Sequence, residues 1–189
     1  VGFGLMQRPR SLAEFGDLEA NYHRRPGLWV TPADGWGRGA VTLVEIPADK
    51  EIYDNIVAYW RPREPLAAGA RHDMRYRLDW CEDVPIAYDG AIVRNTAMGK
   101  RVFEEGRVAV IEFAGGAVGD AAPEDFTVHA SANRGSVSKG VLQRNPATGG
   151  LRLAFTFDPG TARSMELRAQ LMLGGRSASE VFLYRWTAA

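Results

Sequence analysis

The sequence predicts an all-β protein that ends in an antiparallel sandwich of immunoglobulin-like type. Three observations carry this. Short runs with period-two alternation recur along the chain, typified by residues 72–80, where Met74, Tyr76, Leu78 and Trp80 alternate with Asp73, Arg75, Arg77 and Asp79. The runs are separated by turn signals: Asn145-Pro146, Gly149-Gly150, Asp158-Pro159-Gly160 and Gly174-Gly175. No segment sustains helical spacing long enough to compete.

In order, the strands are expected at 28–31, 40–47, 55–61, 72–80, 91–97, 107–113, 126–132, 135–144, 151–157, 165–173 and 180–186. One short helix is expected within Ser11–Asn21. Ser11 can cap it, Glu14 stands three residues on as in a capping box, and Leu12, Phe15, Leu18 and Glu19 fall at helical spacing, although Gly16 weakens it. As a helix, this segment would project Glu14, Asp17 and Asn21 from one face, either as a solvated face or as a site. Arg24-Arg25-Pro26 ends it, because the residue before proline is pushed out of the helical region. Between Arg61 and Gly69, two prolines, several charges and a terminal glycine mark a linker and hence a domain boundary. The single cysteine, Cys81, leaves no Cys…Trp…Cys signature, so an antibody domain is excluded.

Lysine plus arginine equals aspartate plus glutamate, which argues against a nucleic-acid or anionic-membrane partner held by bulk charge. With one cysteine there is no internal disulfide and no zinc spacing, and acids at 82 and 83 hold the Cys81 thiol away from reactivity. His23, His72 and His129 are scattered, and no G-x-S-x-G occurs. No apolar stretch approaches the length of a membrane span, and no basic segment followed by an apolar run opens the chain. Starting at Val1, directly in motif-like sequence, the chain reads as a mature fragment without its upstream portion.

The stretch from Gly2 to Pro32 stands apart. It crowds aromatics and arginines around Glu14, Asp17, Glu19 and Asn21, and its apolar residues follow neither period, so core filling does not explain it. Carboxylates beside arginines and aromatic rings suit a carbohydrate site: rings stack on sugar faces and charged groups fork to hydroxyls. Glycosidic hydrolysis needs two carboxyl groups in different environments, one protonated and one ionised. The loop Ala33–Gly39 matches no phosphate-binding loop; it reads as a tight turn presenting Trp36, whose exposed indole also suits a sugar ring.

The segments GFGLMQR (2–8), DLEANYHRRPGLWV (17–30), GWGRGAVTLVEIP (35–47), DNIVAYWRP (54–62) and YRLDW (76–80) together resemble the periplasmic glucan biosynthesis family, the OpgG and OpgD (MdoG) proteins. The resemblance is dense from Gly2 to Trp80 and looser beyond, and LMQR and DLEANY lean to the OpgD branch. It implies that residues 1–64 are the end of a large galactose-mutarotase-like β-sandwich and residues 65–189 an immunoglobulin-like β-sandwich. It further implies a periplasmic protein acting on osmoregulated glucans of β-1,2-linked glucose, with OpgD-type members being inverting endo-β-1,2-glucanases. The general acid then falls on Asp17 in the DLE motif, with Glu14 a nearby acid, and the general base lies upstream, so this chain alone is expected to be inactive. Arg8, Trp29 and Trp36 are expected to contact substrate. No metal or organic cofactor is implied. The implied partners are β-1,2-glucan, the missing N-terminal part of the same protein, the membrane glucan glucosyltransferase and a second copy as homodimer, with no nucleic acid. The alternative is a non-catalytic glucan-binding or assembly factor working with that glucosyltransferase; in a third reading the immunoglobulin-like part is only a spacer.

Overall fold

A computed structural model describes residues 2–46, 48, 50, 52, 53 and 55–188. The chain divides into two compact units, Val1–Ala87 and Tyr88–Ala189. Among the described residues all regular structure is β-strand or short 3-10 turn. Among the described residues no helix is long and apolar enough to cross a membrane.

Among its described residues the first unit holds five strands: β1 (Phe3–Leu5), β2 (Gly27–Pro32), β3 (Gly39–Glu45), β4 (Ile56–Pro62) and β5 (Tyr76–Cys81). They form an antiparallel sheet in the order β1-β2-β5 and a separate β3-β4 hairpin. β1 is an element that the hydrophobic pattern does not announce. The strand expected at 72–80 starts only at Tyr76, and the expected strand 40–47 reaches Pro47, which lies outside the described residues. Pairing also moves the domain boundary. The proline-rich segment 61–69 lies inside the first unit, because β5 returns to pair with β2 from Gly27↔Cys81 to Pro32↔Tyr76. Proline and glycine report local breaks in regular structure, whereas the sheet that the next strand joins is decided by long-range pairing.

Among its described residues the second unit has nine strands: β6 (Ile92–Lys100), β7 (Arg107–Ala114), β8 (Phe126–Ala132), β9 (Ser136–Val137), β10 (Val141–Arg144), β11 (Leu151–Asp158), β12 (Ser164–Leu173), β13 (Arg176–Ser177) and β14 (Phe182–Thr187). One sheet runs β6-β7-β11-β10, with β9 also on β11; the other places β8 on one side of β12 and β14 and β13 on the other. With the two-residue strands β9 and β13 set aside, the remaining four and three strands follow the strand order of an immunoglobulin constant-type sandwich. The expected strand 135–144 is split into β9 and β10 around Gly140, whose φ of +80° suits glycine.

Period-two alternation builds the core directly. Ala109, Ile111 and Phe113 of β7, Leu151, Leu153, Phe155 and Phe157 of β11, and Met165, Leu167, Ala169 and Leu171 of β12 point inward into one cluster. Burying each of the larger side chains contributes roughly 1.5–3 kcal/mol. Every buried apolar side chain among the described residues lies between Ala91 and Trp186. In the first unit Val41, Leu43, Ile56, Val57, Leu78 and Trp80 are all exposed, so that unit has strands and registers but no closed core.

Candidate functional site

The site is assembled in the first unit on the β1-β2-β5 sheet. Gly4 lies opposite Trp29, and Trp29 lies opposite Asp79. A side chain on Gly4 would collide with the Leu28 carbonyl, and one on Gly2 with the Trp29 indole, so the GFG pattern lets β1 close on β2. Trp29 is half-buried and Arg8 is exposed.

Between β1 and β2 runs the loop that carries the acids. The expected single helix is absent; two 3-10 turns, Leu12–Glu14 and Tyr22–Arg24, take its place. The capping box forms as expected: Ser11 Oγ accepts from the Ala13 N–H at 3.3 Å, and Glu14 Oε2 accepts from the Ser11 N–H at 2.9 Å and the Arg10 N–H at 3.2 Å. Phe15 is already extended, at φ −117° and ψ 132°. Asp17 then takes over local backbone donors, Oδ1 accepting from the Glu19 N–H at 2.7 Å and the Ala20 N–H at 3.0 Å. A carboxylate that satisfies its own following amides offers the chain an alternative to helix, and Gly16 before it favours the helical state least. Asn21 sits in the left-handed region at φ +52°. Glu14, Asp17 and Asn21 therefore do not line one helix face.

Those two amide bonds also set the charge of Asp17. The Ala20 N–H first and the Glu19 N–H second, with the nearby Arg25 guanidinium adding a smaller share, stabilise the ionised carboxylate and lower its pKa against a small opposing effect of burial. Oδ2 has no hydrogen-bond partner among the described residues. Glu14 differs in its placement: its Oε2 is engaged at the start of the loop, where it holds the 3-10 turn.

The loop is pinned at several points. Gln7 Nε2 donates to the Tyr22 carbonyl at 2.8 Å and the Pro9 carbonyl at 3.0 Å. Arg25 Nε donates to the Ala20 carbonyl at 3.2 Å, and its guanidinium lies 4.4 Å from the centre of the Tyr22 ring. The Arg10 guanidinium spans the largest separation, donating to the carbonyls of Arg25 at 2.6 Å and Glu82 at 2.8 Å. Gln7 and Arg10 were not legible as positioning residues from the sequence; their only signal is that they precede the Ser11 cap within the segment that lacks a period.

Trp36 differs from the expectation of an exposed platform. It is half-buried, its Nε1 donates to the Arg75 carbonyl at 2.7 Å, and its ring meets Phe3, Trp60 and Tyr76 edge-on at centroid distances of 6.1, 5.8 and 6.0 Å. This aromatic cluster ties β1, β4 and β5 together. The glycines around it serve the turn: Gly35 has φ +79°, and a side chain there would strike the Asp73 carbonyl. Among the described residues Trp36 makes no ring or hydrogen-bond contact with the Asp17 loop. Among the described residues no three His, Cys, Asp or Glu side chains gather as a metal site.

The model of the family described as "Periplasmic glucan biosynthesis protein, MdoG" matches residues 1–186. The chain is 45% identical to "Glucans biosynthesis protein G" of Vibrio cholerae, 43% identical to that of Shewanella frigidimarina and 41% identical to that of Shewanella putrefaciens. Each match covers 98% of this chain and 34% of the relative, so the chain spans about a third of the length of the curated relatives it matches. With the family model covering nearly its whole length, the chain belongs to the periplasmic glucan biosynthesis protein family, MdoG.

Proposed function

We propose that this chain is the C-terminal portion of a periplasmic protein of glucan biosynthesis, and that the full-length protein is an inverting endo-β-1,2-glucanase with Asp17 as its general acid. The observation that supports this reading best is the construction of the Asp17 loop. A carboxylate with one oxygen fixed by two amides and the other left for a ligand is held in place by Gln7, Arg10 and Arg25, within a segment that contributes nothing to a core. In this reading Arg8 and Trp29 contact the glucan, and Glu14 anchors the loop. The rest of the large sandwich, of galactose-mutarotase type, covers the exposed strands of the first unit and brings the general base.

A general acid must be protonated when the leaving oxygen departs, whereas Asp17 as it stands is held ionised. In the enzyme reading, enclosure by the upstream sandwich and by glucan desolvates the carboxylate and raises its pKa, or an ordered water relays the proton. The same lowered pKa favours the second reading, a glucan-binding or assembly factor working with the membrane glucosyltransferase, in which Asp17 only accepts hydrogen bonds from sugar hydroxyls.

The two separate on one experiment. The full-length protein and its Asp17→Asn variant are incubated with linear β-1,2-glucan while proton NMR follows the anomer released. Release of the α-anomer by the parent, reduced at least a hundredfold in the variant, supports the hydrolase, since a positioned acid contributes about 10²–10⁴ in rate. Binding without cleavage by either protein supports the assembly factor.

A further inference from the structure

We propose that Arg38, Arg61 and Arg63, at the open end of the β3-β4 hairpin, form a binding site for an oxyanion: the phosphate ester or carboxylate of a ligand. The register carries the first step. Arg61 lies opposite Ala40, and the ladder continues one pair further, the Arg63 N–H donating to the Arg38 carbonyl at 2.8 Å. Residues directly opposite in an antiparallel pair share a face, as do residues two apart on one strand. The three arginine side chains therefore leave the same face of the hairpin, with Arg38 and Arg63 directly across from each other.

Like charges in that position repel, and a counter-ion relieves the repulsion. Among the described residues none comes from a nearby acid. Arg71, Arg75 and Arg77 of the same unit pair with Asp73, Asp34 and Asp79, whereas among the described residues Arg38, Arg61 and Arg63 have no carboxylate within 4.0 Å.

The surroundings are those of a site. The three arginines line, with Gly37, Gly39 and Trp60, an open cavity of about 740 Å³. A side chain on Gly39 would run into the Trp60 indole, so glycine there keeps the ring and the mouth in place. Guanidinium forks match planar carboxylate and phosphate oxygens in pairs. Because the chain's charges balance overall, attraction is local to this face, which suits a small anion better than a polyanion.

The test uses the full-length protein at low salt, with inorganic phosphate and acetate as probes, read by titration calorimetry and thermal unfolding. We expect saturable phosphate binding that raises the unfolding temperature, weakened about tenfold or more in R38Q/R61Q/R63Q through loss of charge-assisted bonds. Without phosphate that variant unfolds at the same temperature as the parent or higher, because the repulsion is gone. R38K/R61K/R63K, which keeps the charge and loses the forks, binds with intermediate affinity. Preference for phosphate assigns a phosphate ester and preference for acetate a carboxylate; either upholds the site. Absence of saturable binding, or equal binding by the glutamine variant, overturns it. So does a lower unfolding temperature of that variant without phosphate, since the arginines would then be pairing with an acid elsewhere in the protein.

Discussion

The guanidinium of Arg10 donates to the carbonyl of Glu82 at 2.8 Å across 72 positions of sequence, fastening the acid-bearing loop to the segment that follows β5. The same guanidinium holds the Arg25 carbonyl, so the two ends of the loop and the edge of the sheet meet at one side chain.

Arg10→Met is expected to free that loop. Two charge-assisted bonds to backbone carbonyls are removed, each worth about 1.5–3 kcal/mol at most when well buried and less at this half-buried position. Native-state hydrogen exchange should show the Glu19 and Ala20 amides at least tenfold less protected than in the parent. Unchanged protection would mean that Gln7 and Arg25 suffice.

Protonating Asp17 should loosen the same loop, and the sign follows from its lowered pKa. A carboxylate with a depressed folded-state pKa stabilises the fold fully above its unfolded value, ordinarily 3.8, and that contribution is lost as pH falls through the folded value. Proton NMR of the Glu19 and Ala20 amides should therefore show a transition that lies below 3.8 in the unliganded protein. In the enzyme reading, saturating glucan moves that transition upward; in the assembly reading it stays low.

Glu14→Ala separates anchoring from chemistry. Removing the capping acceptor should cost about 0.5–2 kcal/mol, detectable by urea unfolding. In the proposed hydrolase it should lower cleavage far less than Asp17→Asn does, and Glu14→Gln, which keeps an acceptor oxygen, should recover most of the stability.

Trp36→Phe and Trp36→Ala should grade the aromatic cluster. The first removes the hydrogen bond to the Arg75 carbonyl and should cost about 1 kcal/mol, while the second also removes three edge-on ring contacts and should cost about 3 kcal/mol. Near-ultraviolet circular dichroism should lose intensity in the alanine variant without loss of glucan binding, if the ring's role is packing.

The second unit should fold by itself. All the buried apolar side chains among the described residues belong to it, so the fragment 88–189 is expected to give a cooperative urea transition, and Leu171→Ala should lower its stability by about 2–5 kcal/mol. The fragment 1–87, with no closed core, should give none.

How much was legible follows from the range of the interactions involved. Strands β7, β8, β11, β12 and β14 were readable because Ile111, Phe155 and Leu171 each sit in a run whose alternation is itself the inward-facing set. The Ser11–Glu14 cap was readable because its partners are three residues apart. The helix beyond it was misread because Asp17 can satisfy either a helical face or its own next amides, and the spacing of Glu14, Asp17 and Asn21 is the same in both. Trp36 was misplaced because its burial depends on Phe3, Trp60 and Tyr76, which lie up to 40 residues away in sequence.

By itself, then, the sequence determined the all-β class, the strands of the second unit, the family and the segment in which the acids lie, since all of these rest on local spacing or on residue identity. The tertiary structure alone decided that β5 belongs with β2, that Arg10 closes the acid-bearing loop, and that three arginines share one hairpin face. Each of these depends on strand register or on contacts between distant residues, which reflect where the backbone returns and leave no periodic trace in the order of the amino acids.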